Sequence, residues 1–206
     1  MIMIDEELFE AEIVALEEKA RKHKNSKNLI AFYGSSSIRL WPNLKQDLDP
    51  LNVINMGFGG SSYPYCLHYF ERIFQHLNPS QMVLYAGDND LGHGGTIMEV
   101  FYDFKNLILE IQRRFPGIPI HVISIKPSPS RQQLVFKTSE ANALLRNYIL
   151  GTKNGKWIEI FSKMLNEGNK TQPELFIEDQ LHLNDKGYDI WRKVVKAHLM
   201  KNNSPI

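Results

Sequence analysis

Short apolar runs alternate with longer amphipathic stretches along most of this chain. The apolar runs are predicted strands, at 29–33, 53–56, 82–86, 120–125 and 157–161. Between them, apolar residues recur at helical spacing, and the predicted helices cover 65–77, 96–115, 139–150 and 185–200, with a shorter helical stretch interrupted at Trp41-Pro42. Short apolar strands that alternate with helices are typical of parallel sheets covered on both faces. The pattern therefore predicts a single α/β domain with a doubly wound, five-stranded parallel sheet flanked by helices, as in flavodoxin-like folds.

A further amphipathic segment precedes the first predicted strand. Its apolar residues are separated by charged ones at near-helical spacing, and they are Leu8, Phe9, Ile13, Leu16 and Ala20. This spacing predicts a helix over 6–22 with one apolar face. We therefore divide the chain into a leading helix within 1–26, packed on or capping the domain, and a main domain over 27–206. The pattern leaves open whether the leading helix also meets a partner.

Composition narrows the classes of protein. Of the 206 residues, 43% are hydrophobic and 23% charged, which is typical of a globular protein with a sizeable core. The net charge of +1 gives no reason to expect nucleic acid or an anionic membrane as a partner. The single cysteine, Cys66, excludes an internal disulfide and a multi-cysteine zinc site.

Membrane and secretion signals are also missing from the sequence pattern. No apolar run approaches the roughly 18 residues of a membrane-spanning helix. The first seven residues are acidic where a secretory signal would be basic, and no long apolar stretch follows them. We therefore expect a cytoplasmic protein without a membrane span.

Each predicted strand is followed by a loop rich in Gly, Ser, Asn or Pro. In open parallel sheets, ligands bind beyond the carboxyl ends of the strands, so these loops should meet along one edge of the sheet. The loops contain residues 34–37, 57–62, 87–90, 126–131 and a long final segment that ends in 179–182. This edge is therefore where we expect the chemistry of the protein.

Two of these loops supply the groups of a serine hydrolase. The first loop contains the serines Ser35, Ser36 and Ser37, and the last contains Asp179 and His182, three positions apart. A serine hydroxyl becomes a good nucleophile when a histidine removes its proton and a carboxylate holds the imidazole in the right tautomer. The residues thus suggest a hydrolase with the chain order Ser, Asp, His.

Four of the loops contain short segments rich in glycine or in polar side chains: Gly34-Ser35-Ser36, Asn55-Met56-Gly57-Phe58-Gly59-Gly60, Gly87-Asp88-Asn89-Asp90 and Asp179-Gln180-Leu181-His182. These segments resemble the motif blocks of the SGNH hydrolases, also called the GDSL esterase/lipase family. The similarity extends over about residues 28–200. Each block is short and weak alone, but all four occur in order and at predicted strand ends.

The resemblance implies a role for each block. Ser36 would attack an ester carbonyl, His182 would act as the base, and Asp179 would orient His182. The backbone N–H groups of Ser36 and Gly60 and the side-chain amide of Asn89 would form the oxyanion hole. The reaction would need no cofactor and no metal.

The resemblance also implies a class of substrate. This would be a small-molecule ester, such as a short acyl ester, an acetylated sugar, a lysophospholipid or a thioester. Acyl transfer by the same triad stays open, as does the oligomeric state.

One departure from the family's pattern leaves alternatives open. The family has Asp before the nucleophile, where this chain has Ser35. Ser35 and Ser37 therefore remain alternative nucleophiles, and a catalytically inactive scaffold remains an alternative function. A serine-rich loop after a first strand is also compatible with helix capping or with a flavodoxin-like protein that binds phosphate or flavin.

The loops contain further polar residues, for which we expect supporting or structural roles or leave two interpretations open. We expect Asp90 to brace its loop through hydrogen bonds and Asp88 to support the site or to be solvated. His93 is expected to be a loop residue without a catalytic role. Lys126 and Arg131 could bind an acidic group of the substrate or could equally be solvated charges.

Overall fold

Five parallel strands form the centre of the structure, a computed structural model that describes residue 5 and residues 7–203. They are β1 (Ile30–Gly34), β2 (Val53–Gly57), β3 (Gln81–Tyr85), β4 (Ile120–Ile123) and β5 (Gly155–Ile158). They lie in the order β2-β1-β3-β4-β5, and each neighbouring pair is parallel. The predicted fold class is therefore confirmed. Because β1 has β2 on one side and β3 on the other, the direction of winding changes there, which is where sheets of this kind bind ligands.

Helices cover both faces of the sheet. In the described part of the chain the α-helices are α1 (Glu10–Lys22), α2 (Ser36–Arg39), α3 (Leu44–Asp47), α4 (Tyr63–Phe74), α5 (Asp88–Gly92), α6 (Ile97–Arg114), α7 (Val135–Gly151) and α8 (Asp185–Asn203). One hydrophobic cluster joins the sheet to α1, α4, α6 and α7, and a second joins it to α2, α3 and α8.

The central strand β1 supplies both clusters. All five of its residues are buried. Ala31 and Tyr33 belong to the first cluster, whereas Ile30 and Phe32 belong to the second. Successive side chains of a strand point to opposite faces, so a strand that is buried on both faces reads as a continuous apolar run.

The leading helix α1 packs on α4. Its residues Ile13, Leu16 and Ala20 are buried in the first cluster. The guanidinium of Arg72 on α4 donates hydrogen bonds to Glu10 and Glu17 of α1, at 2.8 and 2.9 Å. The prediction places this helix over 6–22, whereas α1 begins at Glu10 and residues 7–9 are not helical. Residue 6 lies outside the described residues, as do 1–4 and 204–206. The division of the chain after residue 26 stays a prediction.

The fifth strand differs most from its prediction over 157–161. It begins earlier, at Gly155, and ends at Ile158. The backbone N–H groups of Ile160 and Phe161 both donate to the Ser124 hydroxyl at 2.9 Å. These bonds replace pairing with β4, and they turn the chain away from the sheet.

The helices of the described residues, 5 and 7–203, are too short or too polar for a membrane span. None of them combines the length and the apolar character that crossing a bilayer requires.

Candidate active site

A tight turn at the end of β1 holds the serine loop at the edge of the sheet. Gly34 has a φ of 137°, and a Cβ atom at this position would lie 1.8 Å from the carbonyl oxygen of Tyr85. Only glycine fits such a close backbone approach. The backbone N–H of Ser35 then donates to the same Tyr85 oxygen at 2.9 Å, and Ser36 is the first residue of α2.

The three serines of this loop have different surroundings. All are buried, and Ser36 retains 8% exposure, compared with 0% for Ser35 and 2% for Ser37. Ser35 occupies the position before α2 but makes no capping hydrogen bond. The carbonyl oxygen of Ser37 accepts a hydrogen bond from the Tyr188 hydroxyl at 3.1 Å, which fixes α2 against α8. Of these three serine hydroxyls, the one within hydrogen-bond distance of the His182 side chain is that of Ser36.

The loop that carries Asp179 and His182 is held by its own backbone. The N–H of Ile177 donates to the His182 carbonyl oxygen, and the N–H of Gln180 donates to the Ile177 carbonyl oxygen, both at 2.9 Å. Gln180 itself has a φ of 55°, a left-handed conformation that non-glycine residues rarely adopt. The resulting turn brings Asp179 and His182 side by side just before α8.

Ser36, His182 and Asp179 form one chain of hydrogen bonds. The Nε2 atom of His182 lies 3.1 Å from the Oγ of Ser36. Its Nδ1 atom lies 2.6 Å from Oδ2 of Asp179. The imidazole therefore has one nitrogen toward a hydroxyl and the other toward a carboxylate, the arrangement of a nucleophile, a base and an orienting group.

The Asp179 carboxylate is held in its charged form. Its Oδ1 accepts hydrogen bonds from the backbone N–H groups of Leu181 and His182, at 2.8 and 2.9 Å. Partial burial alone would raise the pKa of Asp179, but the hydrogen bonds from the His182 side chain and from these backbone groups lower it to about 2. A negative charge therefore faces the imidazole across the neutral pH range.

The side-chain amide of Asn89 lies at the carboxyl end of β3, next to β1. Asn89 is buried on the short helix α5. Its Nδ2 donates to the Ser61 carbonyl oxygen at 3.1 Å, and its Oδ1 accepts from Nη2 of Arg131 at 3.0 Å. The amide is thus fixed at both ends, and its NH2 group carries a second hydrogen beside the one given to Ser61.

Gly60 lies in the loop after β2, on the other side of β1. It has a φ of 61°, and the nearest atoms to a Cβ there would be those of the Phe9 ring, 3.9 Å away. Backbone conformation, and not crowding, is therefore what favours glycine at this position. The structure thus brings Ser36, His182 and Asp179 into contact and puts Gly60 and Asn89 on the loops after the two strands that flank β1.

Lys126 differs from the sequence expectation. The sequence predicts a solvated charge or a ligand for an acidic group of the substrate, but Lys126 is buried, with 3% exposure, and its Nζ lies 2.8 Å from Oδ2 of Asp88. Burial alone would raise the pKa of Asp88, but the positive charges of Lys126 and Arg131 hold it below its usual value. The three residues therefore form a structural ion cluster behind Asn89.

Asp90 fulfils the expected bracing role. Its Oδ1 accepts a hydrogen bond from the backbone N–H of Tyr63 at 3.0 Å, at the start of α4. Burial raises the pKa of Asp90 to about 7, against the lowering effect of that hydrogen bond. Asp90 also lines a cavity of about 470 Å³ together with His93 and Tyr102, and neither Ser36 nor His182 contributes to its lining.

A protein metal site usually needs several His, Cys, Asp or Glu side chains close together. Among residues 5 and 7–203, no group of three or more such side chains could hold a metal ion.

Sequence reasoning missed the link between Arg131 and Asn89. The sequence predicts that Arg131 either binds an acidic group of the substrate or is a solvated charge, and it places Ser61 in a glycine-rich loop. The signal that could have found the link is position: 61, 89 and 131 all follow strands at the same edge of the sheet. Which loop cation would reach the amide could not be read from spacing.

A protein-family model supports the motif analysis. Residues 29–190 match the model of the GDSL-like lipase/acylhydrolase family. No curated protein matches the chain significantly.

Solved structures share the fold over nearly the whole chain. A Streptococcus pneumonia protein provisionally named as a platelet activating factor is 22% identical, with a TM-score of 0.77 over 94% of this chain and 95% of that one. A GDSL-like lipase from Bacteroides thetaiotaomicron is 19% identical, with a TM-score of 0.74 over 96% and 98% of the two chains. The psychrotrophic esterase EstA from Pseudoalteromonas sp. is 15% identical, with a TM-score of 0.65 over 84% and 100%.

Proposed function

The chain belongs to the GDSL-like lipase/acylhydrolase family, and on that premise we propose that it is a serine esterase that cleaves a carboxylic ester through an acyl-enzyme on Ser36. The family comprises lipases and acylhydrolases, and the chain is accordingly a hydrolase of the lipolytic or esterase type. Our proposal adds the nucleophile, its partners and the class of bond. Small acyl esters, acetylated sugars and lysophospholipid-type esters are the candidate substrates.

One observation carries this proposal. The Ser36 hydroxyl, the His182 imidazole and the Asp179 carboxylate are joined by contacts of 3.1 and 2.6 Å, although Ser36 and His182 are 146 positions apart. A serine that only capped a helix would not need an imidazole in this position. A phosphate-binding loop would leave the paired Asp179 and His182 without a role.

The proposed reaction has two stages. His182 Nε2 removes the proton from Ser36 Oγ while Oγ attacks the ester carbonyl carbon. The tetrahedral intermediate collapses, the bond to the alcohol oxygen breaks, and His182 returns the proton to the departing alcohol. In the second stage His182 removes a proton from a water molecule while the water oxygen attacks the acyl carbon. The bond between that carbon and Ser36 Oγ then breaks, His182 returns the proton to Oγ, and the carboxylic acid leaves.

Asp179 supports both proton transfers. Its carboxylate accepts a hydrogen bond from the N–H at Nδ1, which leaves Nε2 unprotonated and able to act as the base. When Nε2 becomes protonated, the negative charge at 2.6 Å stabilises the imidazolium. The low pKa of Asp179 keeps that charge in place at the pH of the reaction.

The carbonyl oxygen of the substrate gains negative charge in the intermediate. We assign its stabilisation to the backbone N–H groups of Ser36 and Gly60 and to the side-chain amide of Asn89. Each such donor typically contributes about 3–4 kcal/mol to the transition state.

Labelling with a fluorophosphonate tests the proposal, because an activated serine displaces fluoride from the reagent and becomes phosphonylated. We expect one adduct, on a peptide containing Ser36, together with hydrolysis of p-nitrophenyl acetate. Ser36→Ala and His182→Ala should lose both the adduct and most of the turnover. Ser37→Ala is the matched control, since it removes a neighbouring hydroxyl that does not contact His182, and it should retain both.

Three outcomes contradict parts of the proposal. An adduct on Ser35 or Ser37 would move the nucleophile. Full activity in His182→Ala would remove the assigned base. A folded wild-type protein with no adduct and no turnover on any ester would favour the inactive scaffold, and a yellow flavin-containing protein would favour the flavodoxin-like alternative.

A further inference from the structure

Arg131 lies directly behind the amide of Asn89. We propose that Arg131 is a positioning residue for the oxyanion hole, which orients and polarises the Asn89 side chain. The inference rests on the proposed function and deepens it. The guanidinium donates from Nη2 to Oδ1 of Asn89 at 3.0 Å and from Nη1 to the backbone oxygen of Asp88 at 2.7 Å.

The arginine decides which way the amide faces. An arginine side chain has only donors, so it can pair with Oδ1 of Asn89 and not with its NH2 group. Rotating the amide by 180° would put NH2 against the guanidinium and Oδ1 against the Ser61 carbonyl oxygen, which would leave two repulsive contacts. Arg131 and Ser61 together therefore hold the NH2 group away from Arg131.

Orientation is accompanied by polarisation. A charged donor at Oδ1 withdraws electron density from the amide, which makes the N–H groups of Asn89 better donors. Asn89 is buried, with 7% exposure, so water does not screen this contact strongly. An oxyanion donor gains from both effects, because the charge it must stabilise appears only in the transition state.

Arg131 is itself held firmly. A Cβ atom at Gly92 would lie 2.6 Å from the guanidinium, so the arginine packs flat against the backbone of α5. Nη1 also lies 3.4 Å from Oδ2 of Asp88, whose charge is shared with Lys126. The side chain is only 18% exposed.

The segment that carries Arg131 also contacts the other half of the site. It forms a 3₁₀ helix over Pro129–Leu134. The backbone N–H of Ser130 donates to the carbonyl oxygen of Gln180 at 3.0 Å, between Asp179 and His182 in the chain. One short segment thus holds both the oxyanion side and the base side of the site.

Kinetics of four variants test the role of Arg131, with p-nitrophenyl acetate as substrate. Arg131→Met keeps most of the apolar stem and removes the donors. We expect kcat to fall roughly 10- to 100-fold with little change in KM, a smaller loss than for Asn89→Ala, because the amide is still present but no longer held. In the double variant with Asn89→Ala, the Arg131→Met change should have almost no further effect. Arg131→Lys should recover only part of kcat, since an ammonium cannot bridge both oxygens.

Gln132→Met is the matched control within the same segment. Gln132 accepts hydrogen bonds from the Thr171 backbone N–H and hydroxyl, at 2.9 and 2.6 Å, and does not contact Asn89. Any effect of Gln132→Met should therefore be the same with or without Asn89→Ala. Thermal unfolding of each variant identifies losses that come from the fold.

The possible failures are distinguishable. An active wild type whose Arg131→Met variant keeps full kcat overturns the inference and leaves the proposed function intact. The same holds if the effects of Arg131→Met and Asn89→Ala multiply independently, which would indicate a merely structural arginine. A folded wild type without turnover or fluorophosphonate labelling overturns both the proposed function and the inference.

Discussion

Replacing Asp179 with Asn exchanges one carboxylate oxygen for an NH2 group and leaves the shape of the side chain unchanged. The asparagine oxygen can still accept the backbone N–H groups of Leu181 and His182, as Oδ1 of Asp179 does. The loop should therefore keep its turn. The new NH2 group faces Nδ1 of His182, where it acts as a donor, so the proton of the neutral imidazole must move to Nε2. In that tautomer His182 offers a hydrogen to Ser36 and cannot accept one.

The loss of activity in Asp179→Asn has two contributions of different size, the missing negative charge and the wrong tautomer of His182. The pKa of Asp179 lies at about 2 instead of 3.8, and at ~1.4 kcal/mol per unit this is about 2.5 kcal/mol of interaction before screening. The side chain is 43% exposed, so water reduces the figure to roughly 1 kcal/mol, less than a tenfold loss of rate. The wrong tautomer costs roughly 10³- to 10⁴-fold in kcat. The tautomer therefore dominates.

The assay is steady-state ester hydrolysis by Asp179→Asn, Asp179→Ala and the matched control Glu178→Gln. Glu178→Gln removes the same charge from the neighbouring exposed residue and should leave kcat almost unchanged. Asp179→Asn should lose roughly 10³-fold or more while its melting temperature stays close to that of the wild type. A loss of about tenfold or less would refute the tautomer argument, since screened electrostatics alone accounts for that much.

Three further predictions concern the Asn89 amide, the buried carboxyl of Asp90 and the turn at Gly34. Asn89→Ala should lower kcat roughly 10²- to 10³-fold with little change in KM, and unchanged turnover would remove Asn89 from the oxyanion hole. Burial raises the pKa of Asp90 to about 7, so the folded state loses stability as the pH rises from about 4 to 7. Urea unfolding should therefore show Asp90→Asn more stable than the wild type by up to about 4 kcal/mol near pH 8 and by much less near pH 4. A gain in stability that did not depend on pH would contradict burial of the carboxylate as the cause. Gly34→Ala should destabilise the fold by several kcal/mol, because the added Cβ would clash with the Tyr85 carbonyl oxygen. The control Gly117→Ala, at a φ of 81° with open space around it, should cost only about 1–2 kcal/mol in the same unfolding experiment. Equal losses in the two variants would leave the backbone conformation, and not the clash, as the cause.

Features that depend on local spacing could be read from the sequence. The run Leu29 to Tyr33 predicted β1 because a strand buried on both faces is apolar at every position. Asp179 and His182 are three positions apart, and the hydrogen bonds that join the two residues lie within their own loop. The rule that ligand sites lie beyond the carboxyl ends of parallel strands then predicts that Ser36 and Asn89 lie at the same edge of the sheet, even though no contact between their loops is known from the sequence.

The sequence does not predict which charged side chains of different loops contact one another. Lys126 and Arg131 follow β4, and Asp88 and Asp90 follow β3, so the sequence allows each cation to pair with either carboxylate or with solvent. Packing decides the outcome: Lys126 is enclosed and meets Asp88, while Arg131 lies against Gly92 and reaches the amide of Asn89. Among the described residues, no cation is paired with Asp90, whose carboxyl instead accepts a hydrogen bond from the N–H of Tyr63. A buried charge without a cation has a raised pKa and one with two cations has a lowered pKa, which is what distinguishes Asp90 from Asp88 although only one residue separates them. The chemistry of an active-site loop is thus set by contacts between loops as much as by the motif that identifies it.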